Sequence, residues 1–366
     1  MKKFALLYGL SMFIFFIATA QTQTFSIHGK VIDQKTRHGI PYANVYIEGN
    51  IHTGPATDSI GRFQITTKPG IHRLVVSCIG YKDKLTSEYM VSARTPFIEV
   101  ELEEDAQMLG EVTISPSPLR RTTESPVSLF VIGIQDIEKI PGANRDISRV
   151  VRSFPGVSFS PVGYRNDLIV RGGGPSENRY FMDGIEIPNI NHFSTQGASG
   201  GPVGIINSDL VREINFYTGA FPANRSGALS SVLDFSLFNG NPERQDLKAT
   251  LGASEVSLSG NGHFSEKTTY LFSARQSYLQ FMFKLLGLPF LPNYIDGQFK
   301  IKSRLSEKHE LTFLGLGGID RMKLNTSEKG DETEFLLSYL PVVHQDTYTL
   351  GGTYKHYAGA HTQSFF

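Results

Sequence analysis

The sequence has one cysteine in 366 residues, no tryptophan and no charge excess of either sign, with 35 Lys+Arg against 35 Asp+Glu. Each shortage excludes something. The lone thiol of Cys78 closes no internal disulfide, so no cystine framework holds the fold. Cys78 sits in an apolar run and reads as a core residue. Balanced charge removes the basic footprint of a nucleic-acid binder. After residue 20 no stretch approaches eighteen uncharged apolar residues, so a membrane role would fall to a β-barrel, which satisfies every backbone group in lipid. The ten histidines form no H-x-H or H-E-x-x-H pair and the acidic residues show no ligand spacing, so neither a metal nor another cofactor is expected.

Glycine is what the sequence has in excess. Twelve of its 36 glycines fall between Gly156 and Gly227, which points there to tight turns and close backbone approach. The first twenty residues read as a cleaved secretory signal: Met1-Lys2-Lys3, fifteen uncharged residues from Phe4 to Ala18, then Ala18-Thr19-Ala20 as a small-x-small site.

Short β runs separated by turn residues follow from Phe25 to about Glu103, as in a small β-sandwich. Pro96, the acidic stretch Glu99 to Asp105 and Ser115 to Pro118 read as a connector, with Leu109-Gly110-Glu111-Val112-Thr113-Ile114 as one lone β-prone segment within it. From about Pro126 to Phe238 the pattern is mixed. Short helices are predicted at Asp136 to Lys139 and Arg145 to Ser153, and strands at Asp167 to Arg171, Arg179 to Met182, Gly184 to Ile187 and Arg212 to Tyr217, with Asp183-Gly184 as a hairpin turn. From Leu247 the period is two. Ile295, Phe299, Ile301 and Leu305 alternate with polar residues, and the tight turns Ser265-Glu266-Lys267 and Ser306-Glu307-Lys308 flank a longer loop from Ser277 to Asn293. The fold class expected is therefore mainly β, with a sandwich, an α+β region and antiparallel strands of an incomplete transmembrane β-barrel.

Catalytic motifs fail their context. Gly197-Ala198-Ser199-Gly200-Gly201 fits G-x-S-x-G but lacks the strand before and the helix after that a nucleophile elbow needs. Arg171-Gly172-Gly173-Gly174-Pro175 lacks the ending and spacing of a phosphate loop. No enzyme activity is expected.

Four motifs in order resemble the plug domain of TonB-dependent outer-membrane receptors. They are Asp167 to Gly173, Asn178 to Pro188 (with Asp183-Gly184), Glu213 to Ala223 and Gly227 to Leu233. Leu229-Ser230-Ser231 departs from the glycine pair that many members place there. Gly29 to Val31, Ile40 to Val45, Thr57 to Phe63 and Ile79 to Tyr81 resemble the carboxypeptidase-regulatory-like sandwich that often precedes such plugs. The resemblance implies a signal peptide at 1–20, a sandwich at 24–104, a linker at 105–125, a plug at 126–238 and the beginning of a barrel at 245–366. The 120 residues from Leu247 supply about 6 to 8 strands, too few for the family's barrel of 22, so the chain is expected to be either a fragment of a longer reading frame or a truncated, inactive product.

The same resemblance implies an exported protein of the cell outer membrane that takes up an extracellular small ligand such as a siderophore, cobalamin, an oligosaccharide or a peptide. Its implied partners are the TonB energy-coupling complex, outer-membrane lipid and a surface lipoprotein. Leu109 to Ile114 would be the TonB box, and Arg171 a latch to carboxylates of the barrel wall. Gly172, Gly173, Asp183 and Gly184 would be the plug motif, and Asn191, His192 and Phe193 a ligand-facing loop. The alternative is a non-transporting surface interaction or signalling protein.

Overall fold

The computed structural model describes residues 24–49, 54–104, 128–140, 146–159, 166–194, 201, 203–252, 254–325, 335, 337–338, 342–359 and 362–365. The segment 109–114 and Ser199 lie outside the described residues.

The first unit is built from β1 (Phe25–Asp33), β2 (Asn44–Ile47), β3 (Arg62–Thr67), β4 (Gly70–His72), β5 (Leu74–Ser77), β6 (Lys84–Leu85), β7 (Tyr89–Val91) and β8 (Ile98–Leu102). They form the sheets β3-β1-β8 and β2-β5-β6 with a β4-β7 ribbon, around Ile27, Val31, Phe63, Leu74, Val76 and Val100. Cys78 packs half-buried against this core. The acidic stretch corrects the connector reading. Ile98, Val100 and Leu102 point into the core while β8 pairs in parallel with β1, so Glu99 and Glu101 are the outer face of a strand. A parallel partner 69 residues away, from Gly29 to Ile98, leaves no local turn to signal it.

The second unit contains β9 (Leu129–Ile132), α1 (Ile134–Lys139), α2 (Ile147–Val151), β10 (Val157–Phe159), β11 (Leu168–Val170), β12 (Asn178–Met182), β13 (Ile185–Ile187), β14 (Val211–Tyr217) and β15 (Ser231–Leu237). Its main sheet runs β13-β12-β15-β14-β9. Asp146 caps α2 by accepting the Ser148 N–H at 2.9 Å. The β12–β13 hairpin turns at Asp183 and Gly184, with φ of 47° and 89°, the left-handed pair that a two-residue turn requires.

The third unit is one antiparallel meander: β16 (Asp246–Leu251), β17 (Glu255–Ser265), β18 (Thr268–Ser277), β19 (Phe290–Ser306), β20 (His309–Leu324), β21 (Val343–Gly359) and β22 (Thr362–Phe365). The helix α3 (Leu279–Leu285) lies between β18 and β19, so the loop is shorter than its predicted span to Asn293. Pro292 fits β19 because there the strand pairs with β20 alone, and the β18 ladder begins at Ile295. The strands β19, β20 and β21 have 17, 16 and 17 residues, longer than the ~9–11 that cross a membrane.

This wall is apolar on the outside and polar within. Leu247, Leu258, Phe264, Ile295, Phe299, Phe313, Ile319, Tyr348 and Leu350 are exposed, whereas Ser273, Arg275, Asp296, Gln298, Lys300, Glu310 and Asp320 are buried. On the outer face Phe272, Phe299 and Phe313 each lie against a directly paired glycine of the next strand, Gly260, Gly315 and Gly352. The inner face carries the second unit: Leu271, Leu314 and Leu316 of the wall join Val150, Met182, Ile214, Phe216 and Phe235 in one core. No helix among the described residues is long and apolar enough to cross a membrane.

Candidate functional site

The seam between the second unit and the wall concentrates the buried charge. After β13 the chain is pinned by the Asn191 amide, which donates to Ser148 Oγ at 3.2 Å and to the Gly201 carbonyl at 3.1 Å. The His192 N–H bonds Val203 O at 2.8 Å, and Phe193 turns the backbone at a φ of 55°. A non-glycine residue in that region costs about 1–3 kcal/mol, and here the turn aims the His192 ring at the wall. The Phe193 N–H donates to Asp320 Oδ2 at 2.7 Å.

His192 is fully buried between two wall carboxylates, with Nδ1 2.6 Å from Asp320 Oδ1 and Nε2 3.0 Å from Asp296 Oδ2. A neutral imidazole has one N–H, so with a carboxylate at each nitrogen the ring is held as imidazolium. Burial alone would lower its pKa; the hydrogen bonds to Asp296 and Asp320 outweigh this and leave it above the ordinary 6.5. Tyr294 stacks on the ring at 4.1 Å and donates its hydroxyl to Glu255. Arg275 completes the cluster. Its guanidinium reaches Asp296 Oδ1 at 2.9 Å and Glu255 at 3.6 Å, and donates to the Gly204 and Ile205 carbonyls at 2.8 Å each. Two cations thus meet three carboxylates at the seam, His192 from the second unit and Arg275, Glu255, Asp296 and Asp320 from the wall.

Further contacts extend along it. Asn207 meets Gln298 and Ser273, and Lys300 pairs with Asp183 at 2.8 Å. Lys248 pairs with Asp209 at 2.5 Å, and Gln345 donates to Ser194 at 3.0 Å. Two wall glycines are seats. A Cβ on Gly351 would meet Ile185 at 2.8 Å, and one on Gly318 would meet Ile205 at 2.8 Å and His192 at 3.2 Å. Gly318→Val is therefore expected to destabilise the seated unit by about 1–3 kcal/mol through overpacking, read as a lower urea midpoint, while Gly317→Val on the outer face moves it little.

The structure places the sequence-derived candidates differently. Arg171 is exposed, has a φ of 52° and bonds Thr218 Oγ1 at 3.0 Å and Ser128 Oγ at 3.2 Å. Those partners belong to its own unit; among the described residues no wall carboxylate is bonded to it. Gly172 has a φ of 82°, and Gly173 packs on Ser230, whose Oγ donates to Val170 O at 2.6 Å, which gives the Ser-Ser departure a structural role. Asp183 serves the hairpin and also pairs with the wall. Asn191, His192 and Phe193, expected to face ligand, are buried against the wall. Asp296, Asp320 and Arg275 were not singled out from the sequence. The signal for Asp296 is the alternation of β19, whose inward positions carry charges of both signs, and Arg275 and Asp320 occupy inward positions of β18 and β20. Among the described residues no group of acids, histidines or cysteine holds a metal.

Residues 27–114 match the family model of the CarboxypepD_reg-like domain and residues 121–231 that of the TonB-dependent Receptor Plug Domain. The second unit is thus a TonB-dependent receptor plug domain and the first a CarboxypepD_reg-like domain. Similar solved structures include the siderophore receptor PirA of Acinetobacter baumannii, at 16% identity and TM-score 0.45, covering 65% of this chain and 39% of that one. A variant of the ferric enterobactin receptor PfeA of Pseudomonas aeruginosa has 18% identity and TM-score 0.42, with 63% and 38% covered. The outer membrane transporter YddB of Escherichia coli has 14% identity and TM-score 0.45, with 67% and 38% covered. The chain thus spans about two-fifths of the length of these receptors. No curated protein matches it.

Proposed function

We propose that the chain works in the outer membrane as a receptor for energised uptake of an extracellular small ligand, with the plug held in the lumen until a periplasmic TonB contact displaces it. The observation that carries this reading is the inverted wall. A soluble sheet has no reason to expose Phe299, Phe313, Ile319, Tyr348 and Leu350 while burying Arg275, Asp296 and Asp320; lipid outside and a polar lumen inside give that pattern. The seam supports the rest, because a plug held by a few concentrated charge contacts is firmly seated yet released when those contacts are broken together.

In this reading Leu109 to Ile114 is the TonB box, adding a strand to the coupling protein's sheet edge, and lipid contacts the outer face. The test is uptake of ferric siderophores, cobalamin, oligosaccharides and peptides by cells expressing the chain, with and without a protonophore. One class is expected to accumulate only in energised cells, and deletion of Leu109 to Ile114 is expected to abolish accumulation while leaving surface binding. Binding without accumulation of any class would favour the non-transporting surface protein. Accumulation that survives the deletion would move the TonB box elsewhere.

A further inference from the structure

The sandwich does not hang free of the other two units. Its β8 turns Glu99 and Glu101 away from the core toward the short-turn end of the wall. There Arg304 donates to Glu99 at 3.0 Å, and Arg37 bonds Glu99 at 3.1 Å, pairs with Glu101 and lies 3.7 Å from wall Glu310. Arg37 has a side chain 2% exposed and sits 5.2 Å from the ring centre of wall Tyr357. Lys302 pairs with Glu310 at 3.2 Å. At the tight turn, His38 Nε2 is 3.5 Å from Glu307.

Exposed ion pairs contribute little, but Arg37 and Glu310 are withdrawn from water, and an unpaired charge there would be costly. Burial would raise the Glu99 carboxyl; Lys302, Arg304 and Arg37 outweigh it and hold that carboxyl below its usual range.

The same domain also touches the plug. The Ser87 hydroxyl bonds Glu213 of β14, and Glu88 packs on Gly133, where a Cβ would lie 2.7 Å from its carboxylate. The joint between plug and wall is held as well. Phe238 packs against both the sandwich core and the plug core, with its ring 6.2 Å from that of Tyr89, and Arg244 donates to Thr95 O at 3.2 Å.

We propose that the sandwich is a clamp, docked through its β8 face onto the short-turn end of the wall and onto the plug at the same time. Because it grips both, the plug moves relative to the wall only as the sandwich undocks, and the two displacements are one event. The partner of the β8 face is thus this chain's own rim, which presents cations at Lys302 and Arg304 to the two glutamates.

The test uses the full chain in detergent with Cys78→Ala, and two cysteine pairs introduced separately, His38→Cys with Glu307→Cys and Ser87→Cys with Glu213→Cys. A short bismaleimide cross-linker is applied and the joined peptides are quantified by mass spectrometry. Both pairs are expected to cross-link in the parent. Arg304→Glu, a change on the wall, is expected to lower both yields about tenfold while amide protection in the β1–β3 ladder is retained. No cross-link at His38→Cys/Glu307→Cys in the parent, or yields that Arg304→Glu leaves unchanged, would overturn the docking. Loss of one yield with the other intact would overturn the clamp, as would loss of both together with β1–β3 protection.

Discussion

Replacing His192 by Leu is expected to weaken the seating of the plug by about 3–5 kcal/mol, the cost of removing one partner from a buried charge cluster. Leu fills comparable space, so the loss is electrostatic. Asp296 keeps Arg275, whereas Asp320 keeps the Phe193 N–H as its plug contact and loses its counterion within the seam. The readout is the urea midpoint of the plug, together with amide exchange at Phe193, whose N–H is bonded to Asp320. A midpoint within experimental error of the parent would remove His192 from any anchoring role.

Acidity supplies a second signature of the same residue. The His192 pKa is raised in the folded protein, so its stabilising contribution is complete below the ordinary value of 6.5 and is lost as pH rises through the folded value. Between those limits seating should weaken by about 1.4 kcal/mol per pH unit, and in His192→Leu that slope should vanish. A parent whose seating strengthens with alkalinity over that window would contradict the imidazolium assignment.

Replacing Arg275 by Met is expected to cost a similar amount, about 3–5 kcal/mol, because the aliphatic stem is kept and every polar contact of the guanidinium is lost. The Gly204 and Ile205 carbonyls lose their shared donor, and Asp296 and Glu255 lose a cation. The effect should be local: amide exchange at Ile205, whose N–H bonds Ile190 O, should accelerate before that of β12 or β15. His192 and Arg275 share Asp296, so the double variant should be less destabilised than the sum of the singles. A strictly additive double variant would show that the two cations act independently.

Much of the architecture is legible locally. Alternation from Ile295 to Leu305 gives β19 and its inward charges, and Asp183-Gly184 gives the β12–β13 hairpin, because both signals are contained in a few consecutive residues. The parallel pairing of β1 with β8 is invisible at that range, and so the acids of β8 resemble a linker. The anchor is hidden for the same reason. His192 meets partners 104 and 128 residues further along, and a histidine in a polar loop carries no mark of the carboxylates that will enclose it. The resemblance to the plug motif gives Arg171 the latch role, whereas the charges at the seam come from a loop, through His192, and from the inner face of the wall, through Arg275, Asp296 and Asp320.

The three phenylalanine–glycine pairs on the outer face bear on how the wall assembles. Phe272 over Gly260, Phe299 over Gly315 and Phe313 over Gly352 occupy the β17–β18, β19–β20 and β20–β21 boundaries. Sliding β18, β19 or β20 by one residue would turn Arg275, Lys300 or Asp320 onto the apolar outer face. Sliding by two would preserve the faces and so escape that penalty, but in one direction it would set Phe272 against Leu258 and Phe299 against Phe313, and in either direction Phe313 would meet Leu350 or Tyr354. A register error that polarity alone tolerates is thus opposed by shape at these rings, most strongly at Phe313.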